Sequence, residues 1–158
     1  MNKPKSKQAV TSYSKNKKAF HDYEILEKYE AGIVLTGEEV KSVRNGQANL
    51  KGSFVDIFGD EAFLNEAHIS RYKFSSNKDY SPTRKRKLLL HIKEILKISQ
   101  AIAQKGVTAI PMEFYGKGNL IKMEIGICSG KKLYDKRETL KKRDQEMEIK
   151  IQLKRWQR

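Results

Sequence analysis

The sequence predicts a mainly β protein: a small antiparallel barrel with peripheral helices, followed by a basic C-terminal tail. Two observations lead there. Runs rich in aromatic and β-branched residues recur between short turn signals. The last of them, "LIKMEIGIC", alternates cleanly, with Ile121, Met123, Ile125 and Ile127 on one face and Lys122 and Glu124 on the other. The body thus holds five or six strands and two helical segments, and closing the sheet on itself removes its edges.

In chain order, residues 1–15 are polar, with Pro4 and scattered Lys and Ser, and read as a flexible basic arm. "YEILEKYEAGIVL" reads as a long strand, with Gly32 a bulge or barrel corner. "TGEEVKSVRNG" reads as a short helix. Thr36 or Gly37 caps it, Glu38 and Glu39 sit in the first turn where the helix dipole favours anions, and Gly46 ends it. Lys41 and Arg44 share a face beside the apolar edge of Val40 and Val43. "SFVDIF" and "EAFLNE" flank Gly59 and Asp60, a two-residue hairpin signal. "RYKFSSNKDYSPTRKRK" is a loop with seven bases and one acid, and the chain re-enters the core near Leu88. "HIKEILKISQAIAQKG" spaces Ile92, Ile95, Leu96, Ile102 and Ala103 at helical intervals, stopped by Gly106. "VTAIPMEFY" and the alternating last strand, joined by "GKGN", complete the body.

The 158 residues suit one domain able to bury a core without disulfides or metals. Of the net charge of +14, residues 1–18 hold six Lys and no acid, and residues 129–158 hold eleven bases and five acids. The stretch between them has sixteen bases and fourteen acids. Basic ends on a nearly neutral body are the electrostatic footprint of polyanion binding. The single Cys128 precludes an intramolecular disulfide and fits a reducing cytoplasm. The apolar runs are too short for a membrane span or a signal peptide.

Support for catalysis is thin. His21, His68 and His91 stand apart in the sequence, and the spacings of metalloprotease, hydrolase and phosphate-loop motifs are missing. RNA binding is better supported. "SKNKKAFHDYE" sets Asn16, Lys17 and Lys18 beside Phe20, His21 and Tyr23, so that lysines could hold phosphates and rings stack on unpaired bases. The alternative is that Phe20 and Tyr23 are buried core. Glu30, mid-strand, is either solvated or an acceptor for the N–H groups of a guanine edge. Four consecutive bases, Arg84, Lys85, Arg86 and Lys87, read as a phosphate clamp before three leucines of the core.

Taken together, "NKKAFHDYEI", "YEAGIVLTGEEVKSVRNGQANL", "SPTRKRKLLLHIKEI" and "GKKLYDKRETLKKRD" resemble, in order, the SsrA-binding proteins of bacterial trans-translation. The resemblance implies an oligonucleotide-binding-like barrel that holds the tRNA-like part of transfer-messenger RNA. It places RNA contacts at Asn16, His21, Glu30 and Leu89, to which the residues themselves add Lys17, Lys18, Lys41, Arg44, Arg84, Arg86 and Lys87. It also implies a tail that reads the ribosomal decoding site through Gly130, Lys131, Lys132, Tyr134, Asp135, Lys136 and Arg137. Many members of the family have His at the position of Tyr134, and both side chains offer a ring.

The expected organisation is an arm (1–15), an RNA-binding barrel (16–129) and a tail (130–158), disordered when free and helical on the ribosome. Leu133, Leu140, Met147 and Ile151 make a stripe too thin to offset the ordering cost of about 1–2 kcal/mol per residue. The expected function is that of a non-enzymatic adaptor, one monomer per RNA, with transfer-messenger RNA and the ribosome as partners, no membrane, and no cofactor or metal. A structural ribosomal protein or an RNA-modifying barrel enzyme are the alternatives. The first would sediment with ribosomes in constant stoichiometry, and the second would need a cofactor site.

Overall fold

The computed structural model describes residues 10–131 and 133–156. Residues 1–9 of the expected arm lie outside the described residues, as do Lys132, Gln157 and Arg158. Residues Thr11–Lys15 are not part of a flexible arm, contrary to expectation. They form strand β1, followed by helix α1 (Lys17–Asp22), strand β2 (Tyr23–Ile33) and helix α2 (Gly37–Arg44). Strands β3 (Ala48–Asn49), β4 (Phe54–Phe58), β5 (Glu61–Asn65), β6 (His68–Ile69) and β7 (Arg86–Leu89) come next. Helix α3 (Ile92–Ile102), the long strands β8 (Val107–Lys117) and β9 (Leu120–Gly130), and helix α4 (Leu133–Trp156) complete the chain.

The sheet is antiparallel and closes on itself in the order β8-β4-β5-β7-β2-β9, with β9 paired back to β8. The β8–β9 hairpin pairs from Val107↔Ser129 to Lys117↔Leu120, with a register shift between Pro111 and Glu113. Strand β2 lies along β9 from Tyr23↔Gly130 to Gly32↔Lys122, then passes to β7 through Gly32↔Leu89 and Ile33↔Leu88. Gly32 is thus a barrel corner, as expected. A Cβ there would stand 3.2 Å from the Cβ of Leu89, tighter than an ordinary contact, so glycine eases the approach of the two strands. The seam between β4 and β8 is one pair, Val55↔Ala109. This short seam explains β1. It leaves the rest of that edge of β8 open, and β1 fills it from Thr11↔Gly116 to Lys15↔Glu113. Half-buried Tyr13 packs on the core, and the Ser14 hydroxyl donates to Ala48 O at 2.9 Å.

Inward residues of the ring form the core, among them Leu64, Leu88, Phe114, Met123 and Ile125, with Val43 from α2 and Ile98 from α3. Helix α2 begins with a capping box: Glu39 N–H donates to Thr36 Oγ1 at 3.3 Å, and Thr36 N–H donates to Glu39 Oε2 at 2.9 Å. In α3 the expected apolar set is corrected. Ile95 and Ile98 are buried, whereas Ile92 and Leu96 are half exposed and Ala103 is exposed. The helix rests on the core through Ile98, with half-buried Ile102 packed beside it, while Ile92 and Leu96 remain half exposed.

From Ile125 to Cys128 β9 is buried on both faces, because α1 covers its outer side with a second cluster of Ala19, Ile110, Met112 and Cys128. Phe20 and Tyr23 pack half-buried against this cluster, which assigns those rings chiefly to packing. Beyond Lys131 the described part of the tail is one helix, α4. Its apolar residues Leu140, Met147, Ile149, Ile151 and Leu153 are exposed.

Candidate nucleic-acid interface

Glu30 points outward from the middle of β2, towards the same face as alternate residues of β8. The Tyr115 hydroxyl donates to Glu30 Oε2 at 2.6 Å, and Lys117 Nζ donates to both carboxylate oxygens at 3.0 and 3.1 Å. These bonds, Tyr115 first and Lys117 second, hold the Glu30 carboxyl below the usual carboxylate range. Glu30, Leu89 and Lys122 share a groove of about 460 Å³ with Gly32, His91 and Glu94. Leu89 is 54 % exposed there, an apolar side chain lying across the bare backbone of Gly32. The groove therefore offers a fixed, ionised acceptor beside an apolar contact. That combination suits a base edge presenting N–H donors.

A second basic area surrounds α1. Lys17 and Lys18 are exposed and line a hollow of about 380 Å³ together with Lys15, Asn49 and Lys51. Lys51 reaches this hollow from the turn before β4, and nothing in its local sequence marks it. Asn16 corrects the expected set. It is buried, its Oδ1 accepts from Ala19 N–H at 3.2 Å, and its Nδ2 donates to Leu50 O and Pro111 O, each at 3.0 Å. With both ends bonded inside the protein, Asn16 caps α1 and ties it to the barrel, and it is not free to read RNA.

His21 lies in the last turn of α1 with Nδ1 at 2.7 Å from Asp22 Oδ1, which fixes the ring's orientation. Its Nε2 is buried without a hydrogen-bond partner among the described residues. The tail leaves the barrel beside this residue. Lys131 N–H donates to Asp22 O at 3.1 Å, and Lys131 Nζ donates to Phe20 O at 3.5 Å.

The run of four bases at 84–87 does not present four free charges as expected, and Arg86 is removed from the surface altogether. Arg86 is fully buried: it donates to Glu39 Oε1 at 2.9 Å and also to the carbonyls of Ala67, Pro82 and Arg84. Arg84 donates to the same carboxylate through Nε at 2.8 Å and Nη2 at 2.5 Å. Lys87 is paired with Glu61. Lys85 Nζ stands over two rings, 4.2 Å from the centroid of Phe58 and 4.8 Å from that of Phe63. Glu39 draws the two arginines inward, while Lys85 and Lys87 stay exposed. Burial works against the charge of Glu39, but bonds from Arg84 and the Thr36 amide, with the Arg86 charge, outweigh it and hold the carboxyl low.

Lys41 lies 5.1 Å over the ring of Tyr72, and exposed Arg44 donates to Asn119 O at 3.0 Å. Of the tail set, Gly130 closes β9 and Arg137 is exposed on α4. Tyr134, Asp135 and Lys136 lie in the first turns of α4, and their side chains, like Lys132, lie outside the described residues. Burial pushes the Cys128 thiol up to about 11. Among the described residues no group of His, Cys, Asp or Glu is placed to hold a metal, and no helix is long and apolar enough to cross a membrane. Sequence reasoning missed Tyr115 and Lys117 as partners of Glu30, although the alternation in "EFYGK" puts them on one face of β8.

Fold and surface define a class: a closed antiparallel barrel of oligonucleotide-binding type, basic at its margins, with a long exposed terminal helix. The family model described as "SmpB protein" matches residues 13–155, and the chain belongs to the SmpB protein family. The SsrA-binding protein of Geotalea uraniireducens (strain Rf4) is 52% identical over 139 residues, 88% of this chain and 92% of its own. That of Ligilactobacillus salivarius (strain UCC118) is 49% identical over 152 residues, covering 96% of this chain and 98% of its own. A solved structure described as "tmRNA-SmpB: a journey to the center of the bacterial ribosome" superposes with a TM-score of 0.66 at 42% identity. It covers 76% of this chain and 85% of that one.

Proposed function

We propose that this protein is an RNA-binding adaptor. It binds the tRNA-like domain of transfer-messenger RNA and delivers it to stalled ribosomes for trans-translation. The observation that carries the reading is the match to SsrA-binding proteins through barrel and tail together, over as much as 96% of the chain. The groove at Glu30 and Leu89 takes a base edge. The lysines around α1 hold the flanking phosphates. His21, beside the root of the tail, supplies a ring at the point where RNA and ribosome meet. No step in this scheme makes or breaks a covalent bond, so the protein acts by positioning, in the cytoplasm, as one monomer per RNA.

The tail supplies the ribosomal half of the task. Gly130, Lys131 and Lys132 lead out of the barrel, and Tyr134, Asp135, Lys136 and Arg137 seat at the empty decoding site. Helix α4, 24 residues long, spans roughly 36 Å at about 1.5 Å per residue and lies in the messenger channel. Its exposed apolar residues give it little to rest on in the free protein, so it is disordered there and ordered by the channel.

Capture from native lysate with sequencing of the bound RNA tests the reading. One dominant RNA with a tRNA-like end is the expected outcome, and a spread of RNAs in ribosomal stoichiometry would instead make this a structural ribosomal protein. A chain ending at Ser129 should keep its affinity for that RNA and lose peptide tagging in a reconstituted translation system.

A further inference from the structure

The loop between β6 and β7 carries a surface that the groove at Glu30 does not use. Its sequence "RYKFSSNKDY" interleaves cations and rings. The rings of Tyr72 and Phe74 meet edge to face, with centroids 5.6 Å apart and planes at 67°. Lys41 Nζ reaches the Tyr72 ring from α2 at 5.1 Å, and Lys73 Nζ stands 5.6 Å from the Phe74 centroid. Phe74 is 78 % exposed, so this large apolar ring contributes almost nothing to the core. Arg71, Lys73 and Lys78 are exposed beside it, with Asp79 the one acid of the segment.

The loop is built to hold this shape. Ser75 N–H donates to Tyr72 O at 2.9 Å and Arg71 Nη2 donates to Ser75 O at 2.6 Å. Asn77 N–H donates to Ser75 Oγ and Asp79 N–H to Asn77 Oδ1, each at 3.1 Å. The Tyr80 hydroxyl donates to Ile69 O at 2.7 Å, anchoring the far end to β6. A rigid, positively charged loop that presents a flat ring to solvent matches the demands of an unpaired nucleotide, whose base needs a stacking face and whose phosphates need cations. The excess of cations around the ring disfavours an apolar or basic protein partner.

We propose that residues 71–80 form a second RNA-docking surface, on which an unpaired base stacks against Phe74 while Lys41, Lys73 and Lys78 hold the neighbouring phosphates. The site is separate from the Glu30 groove and does not depend on which RNA that groove takes.

The test uses the full-length protein and fluorescence anisotropy with a labelled oligoadenylate strand, alone and annealed to oligouridylate. Phe74→Ala should weaken binding of the single strand about tenfold. It should leave the duplex unchanged and preserve the salt dependence, because a ring carries no charge. Lys73→Gln with Lys78→Gln should instead flatten the salt dependence for both RNAs. Phe74→Leu should lose affinity as Phe74→Ala does, since a leucine is apolar but cannot stack. Equal losses on strand and duplex, full retention by the leucine variant, or no change at all would overturn the proposal. So would a Phe74→Ala effect confined to binding of isolated ribosomal proteins, which would make the loop a protein-docking surface.

Discussion

Replacing Glu39 by Gln should unfold this barrel more readily than any surface change. Glu39 and Arg86 are both fully buried, and Glu39 also takes two bonds from Arg84, whose side chain is 35% exposed. The glutamine keeps the shape and removes the charge, which strands the Arg86 guanidinium without a counter-ion. Removing one partner of a buried pair costs about 3–5 kcal/mol. For a chain of this size each kcal/mol moves the melting temperature by about 2–4 °C, so the expected drop is about 6–20 °C. Arg84→Gln leaves the Arg86 pair in place and should cost only about 1–3 kcal/mol. Circular dichroism melts and urea titrations of the two variants measure both. The pH dependence gives a second handle. Because the folded carboxyl lies below its unfolded value, its contribution is present above about pH 4.5 and is lost as pH falls through the folded value. The wild type should therefore lose stability on acidification more steeply than Glu39→Gln. A Glu39→Gln protein within about 1 kcal/mol of wild type, with the same acid limb, would refute this account of the pair.

Other outcomes follow from single features of the fold. Cys128 is buried with its thiol pushed up to about 11, so Ellman's reagent at about pH 8 should leave the native protein untouched and titrate one thiol in guanidinium. Gly126→Ala would put a Cβ 2.9 Å from Met112 Sδ and 3.1 Å from Cys128 Sγ in the cluster beneath α1. It should cost about 1–3 kcal/mol by urea titration, and a wild-type midpoint would show that the cluster has room to spare. In amide exchange on the free protein, β8 and β9 should be strongly protected and residues 138–156 should exchange at rates close to those of an open chain. Strong protection of the tail would show that α4 is stable without the ribosome.

Much of the fold was legible because its signals are local. The cap of α2 at Thr36, one of the two positions the sequence offered, the turn at Gly59 and Asp60, and the alternation from Ile121 to Ile127 each rest on signals within a few residues, and each formed. The identity of Glu30 and Leu89 as interface candidates came from resemblance, and their joint groove from the barrel corner at Gly32. What the sequence hid depends on partners far along the chain. Four bases in a row look like four free charges until Glu39, 45 residues before Arg84, is brought beneath them. Asn16 looks free until Pro111, 95 positions away, takes its amide. Glu30 gains Tyr115 across 85 positions and Thr11–Lys15 becomes a strand because the short β4–β8 seam leaves β8 an open edge. Propensity and pattern are properties of neighbours in sequence, and so the sequence by itself determined the elements and the polarity of their faces. Which charges are left for a ligand is a property of neighbours in space, because burial makes every internal ion demand a counter-ion. Only the closed barrel decided that.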